Sequence, residues 1–250
     1  MNRLELYGDS VLKGVIYSDE QKRYKLCKNN HYEELVKSGI EVRNNSHMGS
    51  TICEGLEILK CTLEVCDENT LVLFHFGGND CNFNWKQVSE NPEGEFLPNT
   101  PEDEFIKTYQ EAIAYAKKMG AKVAVSSLVP LDSVKFMNCI SKGLNFDHIL
   151  HWLGDISLLS RWQEHYSRIV EQLAAETNCP LLDFRSEFLK SHHYQSAICS
   201  DGIHPNQLGH DMIVKNLCRF VWEQESRPTL REIRVEREQL SCRRNQPFTV

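Results

Sequence analysis

The sequence predicts an α/β fold built on a parallel sheet. Three observations carry that prediction. Short runs of strand-forming residues alternate with amphipathic helical segments along the chain. One run, residues 70–76 (Thr-Leu-Val-Leu-Phe-His-Phe), is almost continuously apolar, as expected of a strand covered by helices on both faces. The 250 residues are 41% hydrophobic and 25% charged, which suits one globular domain whose core needs no disulfide staples.

Each element has its own local reason. Residues 3–7 (Arg-Leu-Glu-Leu-Tyr) alternate and stop at Gly8, giving a first strand. Residues 31–38 read as helix and residues 40–44 as a second strand. Ser50 or Thr51 can cap a helix that aligns Ile52, Leu56, Leu59 and Leu63 on one face. The run at 70–76 is the third strand. Thr100-Pro101-Glu102-Asp103 offers a capping hydroxyl, a proline at the first helical position and acids in the first turn; Gly120 supplies the stop. Residues 122–128 form a fourth strand, and a helix at 157–177 precedes a short strand near 180–183. Pro205 is expected to open a last helix through Leu208, Met212, Ile213, Leu217 and Val221.

Two long connections interrupt this rhythm: residues 81–99, with Phe83, Trp85 and Phe96, and residues 130–156, with Phe136, Met137, Phe146 and Trp152. Connections of that length in a compact domain are often binding loops or lids. Their aromatic side chains either line a pocket or pack the loops onto the body, and the sequence leaves both open. The expected domain spans residues 1–226. Residues 227–250 form a basic tail or arm with six Arg and three Glu. Its Leu230, Ile233, Val235 and Leu240 could dock on this subunit or on a second copy, making a homo-oligomer.

Charge and cysteine usage narrow the function. Lys+Arg is 28 against Asp+Glu 35, a net of −7, which lacks the basic footprint of a nucleic-acid binder. No apolar run approaches the ~20 residues of a membrane span. The opening Met1-Asn2-Arg3 does not lead into a signal-peptide core, so a cytoplasmic location is expected. The ten cysteines then read mostly as small buried hydrophobes rather than a disulfide framework, and the closest pair, Cys61 and Cys66, is expected on the helix after the second strand.

Ligands of parallel sheets bind at the carboxyl ends of the strands. Small polar clusters stand there four times: Gly8-Asp9-Ser10, Asn44 to Gly49, Gly77-Gly78-Asn79-Asp80, and Asp201-Gly202-Ile203-His204-Pro205. Together they supply the parts for acyl transfer through a serine nucleophile. Ser10 is the candidate nucleophile. His204, with an ordinary pKa near ~6.5, is the candidate base. Asp201, three residues earlier, can reach the far ring nitrogen and fix its tautomer. The backbone N–H groups of Ser10 and Gly49 and the side chain of Asn79 are candidate donors to the oxyanion, and Gly49 has no side chain to block the approach. Asp9 and Asp80 read as structural acids that bond nearby amides. Cys81 reads as a packing thiol. His192-His193 and the pair Cys27 and His31 suggest metal ligands, but no second pair has zinc-site spacing, so no metal is expected.

These four blocks resemble those of the SGNH hydrolases, the GDSL esterase/lipase family. Val11 stands where the family name has Leu, an apolar exchange. The resemblance runs from residue 4 to about 222. It implies a three-layer α/β/α flavodoxin-like fold and ester hydrolysis without cofactor or metal. It implies Ser10 as nucleophile, His204 as base and Asp201 as its orienter, with Ser10, Gly49 and Asn79 as the oxyanion hole. The expected substrate is a small soluble ester, foremost an O-acetylated sugar. A lysophospholipid or thioester is the enzymatic alternative, and a non-catalytic glycan-binding module on the same fold is the other.

Overall fold

Strand and helix alternate in the computed structural model, which describes residues 1–27 and 32–226. In chain order it runs β1 (Arg3–Gly8), α1 (Ser10–Lys13), β2 (Val15–Ser18), β3 (Arg23–Leu26), α2 (Glu33–Lys37), β4 (Glu41–Asn44), α3 (Ile52–Thr62) and β5 (Thr70–His75). It continues with α4 (Trp85–Glu90), α5 (Glu102–Lys118), β6 (Lys122–Ser126), α6 (Ser133–Ile140), α7 (Phe146–Leu153), α8 (Leu158–Glu176), β7 (Leu181–Leu182), α9 (Phe184–Leu189) and α10 (Gln207–Ser226). The five strands expected from the sequence form one parallel sheet in the order β4-β1-β5-β6-β7. The chain order reverses beside β1, and such a reversal opens a ligand crevice at the carboxyl edge.

Period-two alternation divides the side chains between two cores. Val72, Phe74, Val123 and Val125 pack with Ile52 and Leu56 of α3, Phe105 and Tyr109 of α5, and Tyr166 and Ile169 of α8. Leu4, Leu6, Leu71 and Leu73 point the other way, onto Leu35 of α2, Phe184 and Phe188 of α9, and Ile213 and Leu217 of α10. The three layers of the expected fold are therefore present. Glu5, which gives β1 its alternating look, is buried all the same; Asn45 donates to its carboxylate at 3.0 Å and Arg3 and Arg43 flank it at 3.5 and 3.6 Å.

The two long connections are not bare loops. They fold into α4, α6 and α7, and Trp85, Val88, Phe136, Met137, Ile149 and Leu153 join in a third apolar cluster. This cluster stands over the carboxyl ends of β5 and β6, because those strands lead directly into the two inserts.

Four local expectations need correction. Pro205 does not open the last helix; it pairs with Ile198 in an isolated bridge, and Asn206 accepts from the Gly209 N–H at 3.3 Å just ahead of α10. Thr100 does not cap α5, whose N-cap is Pro101; its backbone instead joins Asp80 to Tyr166, at 3.0 and 2.7 Å. Of the nine described cysteines, all free, only Cys81, Cys179, Cys199 and Cys218 are buried, so burial is not their common property. Cys66 lies beyond the end of α3 rather than on it. The basic tail and His31 lie outside the described residues. Among the described residues no helix is long and apolar enough to cross a membrane.

Candidate active site

Ser10 is positioned by the end of β1. Asp9 caps α1, its Oδ1 accepting the Val11 N–H at 2.8 Å, and this turn presents the serine hydroxyl at the sheet edge. The Ser10 N–H stands at the first position of α1, where a helix has no internal acceptor for it.

The second half of the site comes from the turn before α10. Asp201 Oδ1 accepts the N–H groups of Ile203 and His204, both at 3.2 Å. That fixes the carboxylate and leaves Oδ2 free to meet His204 Nδ1 at 2.6 Å. His204 Nε2 lies 2.9 Å from Ser10 Oγ. An ionised carboxylate only accepts, so Nδ1–H donates to Asp201 and Nε2 accepts from the serine hydroxyl. Burial pushes the Asp201 carboxyl up, but its bonds to the His204 ring and to the turn's N–H groups outweigh this and hold it below the ordinary range. Gly202 makes the turn possible. Its φ is +84°, and a Cβ there would sit 2.2 Å from the Phe136 nitrogen, so α6 packs directly on the turn that carries Asp201 and His204.

Asn79 arrives on the loop after β5. Its side-chain nitrogen donates to the Ser50 carbonyl at 3.0 Å, which uses one amide hydrogen and leaves the other. Ser10, Asn79 and His204 line a single cavity of about 410 Å³. Gly49 is exposed and does not line it. It sits at φ +83° in a tight turn closed by Ser50 N–H to His47 O at 3.3 Å, with open space where a Cβ would stand. Backbone conformation, rather than close approach of a ligand, is therefore what requires glycine at this position.

Asp9 and Asp80 bond backbone amides as expected: Asp9 that of Val11, and Asp80 that of Ile52 at 2.9 Å. Burial pushes Asp9 up to about 7 and Asp80 up to about 6. Beside Asp9, burial pulls His75 down to about 4, and its Nδ1 lies 2.8 Å from Ser126 Oγ. These shifts predict opposed pH effects. A carboxyl that keeps its proton longer in the fold than in the unfolded chain stabilises the fold fully below ~4, and that contribution is lost as pH rises through its folded value. His75, lowered, contributes above ~6.5 and loses its contribution as pH falls toward its folded value. Asp9→Asn removes only the first effect and keeps an oxygen for the Val11 N–H. Thermal melts should show the variant gaining on wild type steadily between pH 4 and 7. A gap independent of pH would contradict this assignment.

Sequence reasoning missed Tyr24. The hairpin formed by β2 and β3 lays the Tyr24 ring 5.0 Å from the His204 ring, between centroids. The hairpin is held there by Ser200 Oγ donating to Asp19 Oδ1 at 2.6 Å and by the Tyr17 N–H on Cys199 Sγ at 3.4 Å. Burial, then the charge of Asp201, pushes the Tyr24 phenol up, so it stays a neutral cover on the histidine. Only the paired aromatics Tyr17 and Tyr24, on strands of four residues each, hinted at the hairpin in the sequence. Cys81 also lines the cavity; burial raises its thiol and Sγ donates to the Gly78 carbonyl at 3.4 Å, as expected of a packing group. His192 and His193 are exposed.

The family model of the GDSL-like lipase/acylhydrolases matches residues 6–212, most of the chain and every block described above. The chain belongs to that family. It is accordingly a carboxylic ester hydrolase of the GDSL/SGNH type. Solved structures similar to this GDSL-like hydrolase include the lipase/acylhydrolase from Enterococcus faecalis, 16% identical at a TM-score of 0.63, with 90% of this chain and 97% of that chain covered. An acetyl xylan esterase, AlAXEase, is 22% identical at a TM-score of 0.58, covering 88% and 99%. An acetylxylan esterase from Geobacillus stearothermophilus is 18% identical at 0.58, covering 87% and 93%. At these identities the likeness establishes the fold of the GDSL-like hydrolase. No curated protein matches it.

Proposed function

We propose that this chain is a serine esterase that works through an acyl-enzyme on Ser10. The observation that carries the reading is the unbroken line from Asp201 through His204 to Ser10, at 2.6 and 2.9 Å, opening into a cavity. His204 takes the hydroxyl proton as Ser10 Oγ attacks the ester carbonyl. Asp201 holds the ring in the tautomer that can accept this proton and stabilises the imidazolium that results. The tetrahedral oxyanion is met by the Ser10 N–H and the unused hydrogen of Asn79, with the Gly49 N–H as the third donor after a small movement of its turn. His204 then gives the proton to the departing alcohol. Water, deprotonated by the same ring, releases the acid and restores Ser10. The substrate is an O-acyl ester of a small alcohol; acetylated sugars, the class expected from the sequence, serve as the comparison series in the assay.

Two experiments test this. Esters of one acid with several different alcohols are hydrolysed in the presence of methanol. A shared acyl-enzyme requires the same ratio of methyl ester to acid from each; ratios that change with the leaving group would contradict it. Asn79→Ala should lower kcat roughly 10²–10³-fold, the cost of removing one oxyanion donor. A loss below tenfold would remove Asn79 from that role.

A further inference from the structure

We propose that the ester carries one apolar half, an alkyl or aryl group, which fills the aromatic cavity beside Ser10; this rests on the esterase reading above. The cavity of about 410 Å³ lies within the usual range for ligand sites and exceeds what an acetyl group alone would fill. It is walled by Phe83, Trp85, Phe96, Trp152, Trp162 and Leu158, drawn from both inserts and from α8. The rings hold one another edge to face: Phe83 to Trp152 at 4.9 Å, Phe96 to Trp152 at 5.8 Å, and Phe83 to Trp85 at 5.7 Å.

Aromatic walls also suit sugars, so the decision turns on the polar groups. A sugar needs donors and acceptors for its hydroxyls, and leaving those hydroxyls unpaired in a buried site is costly. Here most of the groups that could serve are already occupied. The indole N–H of Trp85 donates to Asn82 Oδ1 at 2.8 Å, that of Trp152 to the Gly94 carbonyl at 3.1 Å, and that of Trp162 to the Cys81 carbonyl at 2.9 Å. Gln163 donates to the Val129 carbonyl at 2.8 Å and accepts from Arg185 at 3.0 Å. The Asn82 amide nitrogen and the second amide hydrogen of Gln163 are the donors left among these groups of the described residues. An apolar group loses little by entering such a space.

The shared chemistry could belong to the acid or to the alcohol, and two ester series separate them. One holds the alcohol constant and lengthens the acyl chain from acetyl to octanoyl; the other holds acetate and lengthens a linear alcohol. Along one series kcat/KM should rise roughly three- to fourfold per methylene, the gain from burying each CH₂, and level off when the cavity is full. Trp152→Ala should flatten that rise. A flat profile in both series, with acetate esters turned over normally, would overturn the proposal and leave the acyl-enzyme reading intact.

A binding arm is independent of turnover. Three of the four tryptophans line the cavity, and Trp222 on α10 does not. Titration with linear alkanols should shift tryptophan fluorescence, with affinity rising with chain length, and xylobiose should not. A response to xylobiose with none to octanol would overturn the proposal even in a protein that hydrolyses nothing. Failure of all esters with normal alkanol binding would count against the esterase reading alone.

Discussion

Ser10→Ala should abolish ester hydrolysis, lowering kcat on the order of 10⁶-fold, as loss of a triad nucleophile does elsewhere. The variant removes one oxygen from a buried site and leaves the rest of the turn in place. Asp9 still accepts the Val11 N–H, and alanine suits the first turn of α1 at least as well as serine does. The melting temperature should therefore stay within a few degrees of wild type, and alkanol titration should still report a filled cavity. This combination, intact fold and binding with no chemistry, is what separates a nucleophile from a serine that merely starts a helix. A variant that keeps more than about a hundredth of the rate would need another attacking group. Cys81, the other nucleophilic side chain lining the cavity, is poorly suited to that task because its thiol is buried and kept protonated.

Asp201→Asn should cost roughly 10⁴ in kcat for a reason that can be read atom by atom. The Oδ1 atom serves the turn, and an asparagine oxygen can accept the same two N–H groups at 3.2 Å. The amide nitrogen would then replace Oδ2, 2.6 Å from His204 Nδ1, and present a donor where the wild type has an acceptor. The ring answers by placing its proton on Nε2, the nitrogen that faces Ser10 at 2.9 Å. A protonated Nε2 cannot take the hydroxyl proton. The variant should thus fold as wild type does and bind as wild type does, with the loss confined to kcat. A loss falling mainly on KM, or a variant that melts far below wild type, would make Asp201 a structural acid of the turn.

The sheet was legible because its signals are local. The apolar run at 70–76 needs both faces covered whatever surrounds it, and the cap at Thr51 forms from residues within one turn, accepting from the Glu54 N–H. Three of the four candidate blocks were legible for a related reason: they follow β1, β4 and β5, so a parallel sheet must bring them to one edge, whereas the block of Asp201 and His204 reaches that edge through the turn ahead of α10. What escaped depends on contacts distant in the chain. The hairpin strands are too short to show a period, and they are held by residues near 200. The insert helices were read as loops because their apolar faces meet across the two inserts, in a cluster separate from the main core. Gly49 shows a different limit: its missing side chain suggested room for a ligand, but its positive φ, rather than the space it leaves, is what the fold uses.

Whether Ser10 Oγ carries the acyl group is read out by covalent labelling. A fluorophosphonate bearing a short alkyl chain is incubated with the whole protein, the mass of the intact chain is measured, and the labelled peptide is sequenced. One adduct per chain is expected, on Ser10, lost in Ser10→Ala and strongly slowed in Asp201→Asn. A chain that stays unlabelled while it hydrolyses esters, or an adduct on any other residue, would contradict that role of Ser10.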